Sequence, residues 1–143
     1  MELAIVAIFA LVAIYAASFA IRITHGFSKT IEAPEYVIRM QILNGCGTDG
    51  VANQVAKVLP VRVKLPLEVK VIDVDDFDSY DISETFIISR LEDTDAAEIL
   101  AVQLGLDPDK VVYQNLENNY RTVSATLVLG KDYEATILKP SED

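Results

Sequence analysis

The chain is poor in the residues that build most catalytic and metal sites. Its 143 residues hold one cysteine, one histidine and no tryptophan. A single cysteine excludes an intrachain disulfide. Cys46 and His25 together fall short of a structural zinc set, which takes four ligands, so no metal site is expected. Positive charge is scarce as well: 12 Lys and Arg stand against 22 Asp and Glu, for a net charge of −10. Such a surface repels phosphate backbones, and no basic stripe interrupts it, so nucleic acid is excluded as a partner. The same charge resists adsorption to anionic lipid headgroups. With 6 glycines and 5 prolines in all, each one carries positional meaning.

One long apolar run is present. Leu3 to Ile21 contains no charge and no proline, and Arg22 follows it. As a helix it would span about 28 Å, close to the ~30 Å hydrocarbon core of a bilayer. A cleaved signal peptide would need a basic start and a shorter apolar core, and Met1-Glu2 offers no basic residue. Residues 1–22 are therefore expected to be a retained single-pass anchor that ties the chain to a cell membrane. Residues 23–35, with Gly26, Ser28 and Pro34, read as a juxtamembrane linker. Arg22 and Lys29 lie on the C-terminal side of the run. By the positive-inside rule alone they place the following domain in the cytoplasm.

From Tyr36 the pattern becomes that of one small domain. Ile38, Met40 and Ile42 alternate with Arg39 and Gln41, which predicts a strand with one apolar face. Asn44 to Gly47 break it. Thr48 or Asp49 is expected to cap a helix with Val51, Val55, Val58 and Leu59 on its stripe, ended by Pro60. Val69 to Val74 predict a second strand, 75–81 an acidic loop, and Thr85 to Arg90 a third strand with Phe86 and Ile88 on the core face. Asp93 or Thr94 is expected to cap a second helix carrying Ile99, Leu100 and Leu104, with Gly105 as its C-terminal cap. Val111 to Leu116 and Val123 to Leu129 predict two more strands. Residues 134–143 read as a flexible acidic tail.

The order β-α-β-β-α-β-β gives an α/β fold. Two helices can cover one face of five alternating strands but not both, so the expectation is a two-layer sandwich, ferredoxin-like in style. Arg39 and Gln41 then mark the opposite face, which becomes the expected partner surface.

Gly45-Cys46-Gly47-Thr48-Asp49-Gly50 fits G-x-G-x-x-G between a strand and a helix, with Asp73 or Asp75 a little over twenty residues on. That is the dinucleotide fingerprint, in which Gly45, Gly47 and Gly50 would let backbone N–H groups reach a pyrophosphate. Three features oppose it: a first strand carrying Arg39 and Gln41, Asp49 inside the loop, and a domain too short for the usual six strands. The glycines are better read as a tight strand-to-helix turn, with φ > 0 at Gly45 or Gly47. Cys46 is a candidate thiol nucleophile at a helix N-terminus, but its only imidazole, His25, lies across the linker. Asp73, Asp75, Asp76, Asp78, Asp81 and Glu84 lack EF-hand spacing and read as a solvated acidic stretch. No catalytic residue and no cofactor is assigned.

Three stretches in order resemble the LytR C-terminal domain family. They are Ile42-Leu43-Asn44-Gly45-x-Gly47-x-x-Gly50-Val51-Ala52, then Asp78-Ser79-Tyr80-Asp81, then Val128-Leu129-Gly130-Lys131-Asp132-Tyr133. The resemblance spans residues 36–133. It implies an extracytoplasmic, non-enzymatic envelope module that binds an envelope protein or a cell-wall glycan, with a regulatory role. It does not carry over the glycopolymer-transferase activity of the catalytic domain that often precedes such domains. Two other classes stay open at this point: a small nucleotide-binding protein using Gly45 to Gly50, and a structural subunit of a membrane complex.

Overall fold

The computed structural model describes residues 6, 8, 10–15 and 33–138, and the chain divides into two units at 32/33. Residues 6, 8 and 10–15 are helical. No helix among the described residues is long and apolar enough to cross a membrane. Most of the 1–22 anchor, residues 23–32 of the linker with His25, and 139–143 of the tail lie outside the described residues.

The second unit holds five strands, β1 (Tyr36–Asn44), β2 (Leu67–Asp76), β3 (Phe86–Ser89), β4 (Val112–Tyr113) and β5 (Ala125–Leu129), and two helices, α1 (Val51–Arg62) and α2 (Asp95–Leu104). The sequence-predicted order of elements is the observed one. The strands form one sheet in the order β2-β1-β5-β3-β4. β1 runs parallel to β2 and β5, and β3 runs parallel to β4 and antiparallel to β5. This departs from the ferredoxin-like expectation. There the strands of each β-α-β unit are split by another strand; here they are neighbours, and β5 joins the two units.

Both helices lie on one face. Val51, Val55 and Leu59 of α1 and Ala97, Leu100 and Leu104 of α2 enter a single core with Ile38, Met40 and Ile42. Topology requires this. β1 and β3 point in opposite directions, and their crossovers move to opposite edges, so two right-handed connections emerge on the same side.

Several local expectations are corrected. On β3 the residue facing the helices is Ile87, which lies opposite Leu127, whereas Phe86 and Ile88 lie opposite Val128 and Thr126 on the second face. On α1 the buried neighbour is Leu59, and Val58 is 37% exposed. Ile99 is only partly buried. Pro60 sits inside α1, which continues to Arg62. A proline near a helix end forfeits one hydrogen bond, and the last turn closes instead through Val63 N–H to Leu59 O. Residue 50, not 48 or 49, is the N-cap of α1, in the left-handed region and without a side-chain cap. Thr94 does sit at the N-cap of α2, and Gly105 ends it with φ 74°. Glu134–Leu138, within the range read as tail, form a wide helical turn that buries Ile137. An apolar side chain with a core to enter outweighs the acidic residues around it.

The second face is not bare. Thr126 and Val128 are fully buried there, and Ile88 nearly so. The strap 114–124 covers part of it. Arg39 donates from Nε to Thr122 O (3.1 Å) and from Nη2 to Arg121 O (2.8 Å). Beneath runs a chain of side chains: Arg90 to Thr126 (2.9 Å), Thr126 to Gln41 (3.1 Å), Gln41 to Asp73 (2.9 Å), with Arg121 closing on Asp73. Phe77 meets Phe86 edge-on at 6.5 Å toward the other end. The expectation of a broad uncovered face is corrected accordingly: unmatched polar groups on a sheet need partners, and the β4–β5 connection supplies them.

Candidate functional site

The three motif stretches are far apart in sequence and meet at one place, the carboxyl ends of β1 and β5. Asn44, the last residue of β1, is 6% exposed and organises the turn. Its Oδ1 accepts from Gly47 N–H and the Cys46 thiol, both at 3.3 Å, and its amide donates to Thr48 O at 3.1 Å. A short amide that bonds the backbone just ahead of it replaces the next pair of ladder bonds. Leu43 before it pairs with Val128 of β5.

Gly45 joins two of the stretches. Its N–H donates to Leu129 O and its carbonyl accepts from Ile82 N–H, both at 3.0 Å. A Cβ there would lie 2.7 Å from Ile82 Cγ1 and 2.9 Å from Leu129 O. Close approach, not positive φ, therefore demands glycine at 45. Gly47 does take positive φ, at 75°, against Tyr80. Gly130 is the tightest point, where a Cβ would come within 2.4 Å of the Glu84 backbone.

The segment 82–85 is clamped from both sides. Lys131 N–H donates to Ile82 O (2.9 Å), and Lys131 Nζ pairs with Asp81 at 2.6 Å. Asp132 Oδ1 accepts from Thr85 N–H and Thr85 hydroxyl, and that hydroxyl accepts from Gly130 N–H at 3.0 Å. Tyr133 donates to Glu134 at 3.2 Å and packs against the core.

Electrostatics at this end follow the pairing. Lys131 beside Asp81 holds the Asp81 carboxyl below its usual range. The Asp76 carboxylate, through a hydrogen bond and its charge, pushes the Tyr80 hydroxyl up. Burial, aided by Glu134, raises Tyr133. Glu84 raises Lys110, its partner at 2.9 Å. The acidic stretch is solvated, as expected: Asp75, Asp76, Asp78, Asp81 and Glu84 are exposed and only Asp73 is half-buried. Asp73, Asp81 and Glu84 each have a basic partner, and Asp73, Asp75 and Asp76 belong to β2. Among the described residues no group of His, Cys, Asp and Glu could hold a metal ion.

In an open parallel sheet a dinucleotide lies in the crevice beyond the strand ends, where connections diverge to the two sides. Here that space holds the chain itself. Ile82 fills it against Gly45, and Glu84 backbone presses on Gly130. An opening beside the N-terminus of α1 is a depression of about 200 Å³ lined by Asn44, Gly50 and Asn53 with the carboxyls Asp75 and Asp76. Two carboxylates oppose a pyrophosphate there. Gly45, Gly47 and Gly50 are occupied as turn and contact residues, and Cys46 donates to Asn44 Oδ1.

The sequence pattern itself marked Asn44, Gly45, Gly47 and Gly50 as a strand-to-helix turn, while Leu43, Gly130, Lys131, Asp132 and Tyr133 came to this place only through the resemblance. It missed Ile82, Glu84 and Thr85, whose role is tertiary. The one local sign was Gly130, a glycine at the end of an apolar strand, which signals close backbone approach.

The family model of the LytR cell envelope-related transcriptional attenuator matches residues 37–133. No curated protein and no solved structure matches the chain.

Proposed function

The chain belongs to the LytR cell envelope-related transcriptional attenuator family, and from that membership we propose a non-enzymatic, regulatory module of the cell envelope. In this reading residues 1–22 anchor it in a cell membrane and the domain lies outside the cytoplasm, where it binds an envelope protein or a cell-wall glycan. The observation that carries the reading is the use of the motif residues. Gly45, Gly130, Lys131 and Asp132 are all spent on closing one end of the sheet. What remains to act is surface, and a binding role needs only that.

The strap side of the sheet is the surface we assign to the partner. Tyr120 at the tip of the strap is 89% exposed, the most exposed large hydrophobic side chain among the described residues. Exposed tyrosine offers an apolar face and a polar tip, which suits protein and sugar alike. A photo-crosslinking residue at position 120 should capture a defined envelope protein or glycan in intact cells. The same group at Val102, on the outer side of α2, should not. Equal capture at both positions, or none at 120, would sink the assignment. Side is tested by Tyr120→Cys in a Cys46→Ala background: a membrane-impermeant thiol reagent should label intact cells, and labelling only after lysis would reverse the orientation.

A further inference from the structure

The end of the sheet opposite the motif cluster carries a groove. It opens between the start of β1 and the start of α2, has a volume of about 90 Å³, and is lined in part by Tyr36, Val37, Leu91, Asp93 and Ala96. Its two serines are already bonded. The Ser89 hydroxyl donates to Leu91 O at 2.8 Å, and Ser124 Oγ accepts from Arg39 N–H at 2.7 Å. The wall is therefore mainly apolar, with one carboxylate, Asp93, in it. Val37 and Leu91 are 47% and 51% exposed, so the apolar surface reaches solvent. Small-molecule sites run to about 300 Å³ or more, whereas this volume suits one side chain.

Charge selects the side chain. Glu35, then burial, then Asp95 and Asp93 push the Tyr36 hydroxyl up, so three carboxylates converge on the aromatic wall of the groove. No ion pair among the described residues uses Glu35, Asp93 or Asp95. The basic residues nearest in sequence are held elsewhere, Arg39 by the Thr122 and Arg121 carbonyls and Arg90 by Thr126 and Gln114. Residues 91–109 contain no Lys or Arg. The N-terminus of α2 offsets only about half a charge. We propose that the groove receives an arginine side chain from a basic segment of a partner protein. The aliphatic stem packs on Val37, Leu91 and Ala96, and the guanidinium meets Tyr36 and the carboxylates of Asp93 and Asp95. A guanidinium is weakly hydrated, binds carboxylates through its fork and is favoured beside aromatic rings. The net charge of −10 favours encounter with a basic segment. This inference does not depend on the anchor and goes beyond the partner assigned to the strap.

The test is an amide NMR titration of the isotope-labelled full chain in detergent micelles. The probe is a blocked glycine pentapeptide with arginine at its centre. Amide shifts at Val37, Leu91 and Ala96 should move saturably, and affinity should fall severalfold with added salt. Citrulline in place of arginine keeps the stem and removes the charge, and should bind severalfold more weakly. Guanidinium chloride at matched concentration should barely move these amides. Asp93→Asn keeps an oxygen to accept the Asp95 N–H. Combined with Asp95→Asn, it should weaken the arginine peptide severalfold. Ala96→Leu should block the groove, with unchanged shifts elsewhere reporting an intact fold. Equal binding of the citrulline peptide would overturn the cationic occupant. Equal shifts with guanidinium chloride would reduce the site to a charged rim and overturn the groove. The absence of saturable shifts at the three residues overturns the proposal outright. Peptide binding seen only after Arg22→Gln would give the groove to the chain itself and overturn the partner.

Discussion

Asp132 and Thr85, forty-seven positions apart, share one oxygen: Asp132 Oδ1 accepts the Thr85 N–H at 2.7 Å and the Thr85 hydroxyl at 2.6 Å. Thr85 is 6% exposed and passes a further bond on, accepting from Gly130 N–H. This carboxylate therefore ties the start of β3 to the end of β5. Asp132→Ala should cost about 2–3 kcal/mol, since it removes two charge-assisted bonds and strands a buried amide. Urea unfolding measures it. A loss under about 0.5 kcal/mol would mean that the contact is not made.

The glycines should rank by what a Cβ would meet. Gly130→Ala and Gly45→Ala put a methyl against backbone or a packed isoleucine at under 3 Å, so both should cost more than about 2 kcal/mol. Gly50→Ala meets nothing within 4 Å and carries only the left-handed strain of φ 76°, about 1 kcal/mol. Thermal melts of the three variants should keep that order. Gly50→Ala as the worst of the set would contradict the close packing and point back to the helix N-terminus.

Acid should loosen the same end of the sheet. Lys131 depresses the Asp81 pKa in the folded chain. A depressed carboxyl contributes stability that is present above its unfolded value, near pH 4, and is lost as pH falls through the lower folded value. Asp81→Asn should therefore lower stability slightly at neutral pH, and its difference from the native chain should close as pH falls below 4, which flattens the acid limb. The pair is exposed, so salt should shrink the difference. An Asp81→Asn effect that grows with rising pH above 8 would have the wrong sign.

What could be read from the sequence followed from periodicity, and what could not followed from its failure. β1 shows clean alternation because only one of its faces meets the helices, and Ile38, Met40 and Ile42 were legible as core. β3 is Phe-Ile-Ile-Ser with three of its four residues buried. Alternation carries no information where both faces are covered, and the face assignment slipped by one residue to Phe86 and Ile88. On α1 two apolar neighbours, Val58 and Leu59, compete for one stripe, and spacing of four from Val51 and Val55 selects Leu59. The sheet-end cluster was illegible locally, because Thr85 and Ile82 are recruited by residues nearly fifty positions away. A matched pair of truncations tests the corrected stripe. Leu59→Ala should cost about 2–5 kcal/mol. Val58→Ala, at a surface site, should cost under about 1 kcal/mol. Near-equal losses would restore the original stripe.

The strap stores strain that a single substitution should release. Thr122 is the only non-glycine residue with positive φ among the described residues, at 52°, and it is β-branched. Such a conformation costs about 1–3 kcal/mol and persists only where neighbours impose it. Here Arg39 Nε holds Thr122 O while Asn119 brackets Val123, donating to its carbonyl and accepting from its N–H, each at 2.7 Å. Thr122→Gly removes the Cβ penalty and also enlarges the unfolded ensemble, which offsets part of the gain. Thr122→Asn relieves strain with less of that offset, since asparagine tolerates the left-handed region. The asparagine variant should therefore unfold at higher urea by an amount worth up to about 1 kcal/mol, while Arg39→Ala should speed amide exchange at Val123 and Ser124 without unfolding the core. Loss of stability in Thr122→Asn would mean that the threonine hydroxyl, which donates to Arg121 O at 2.7 Å, outweighs the backbone strain.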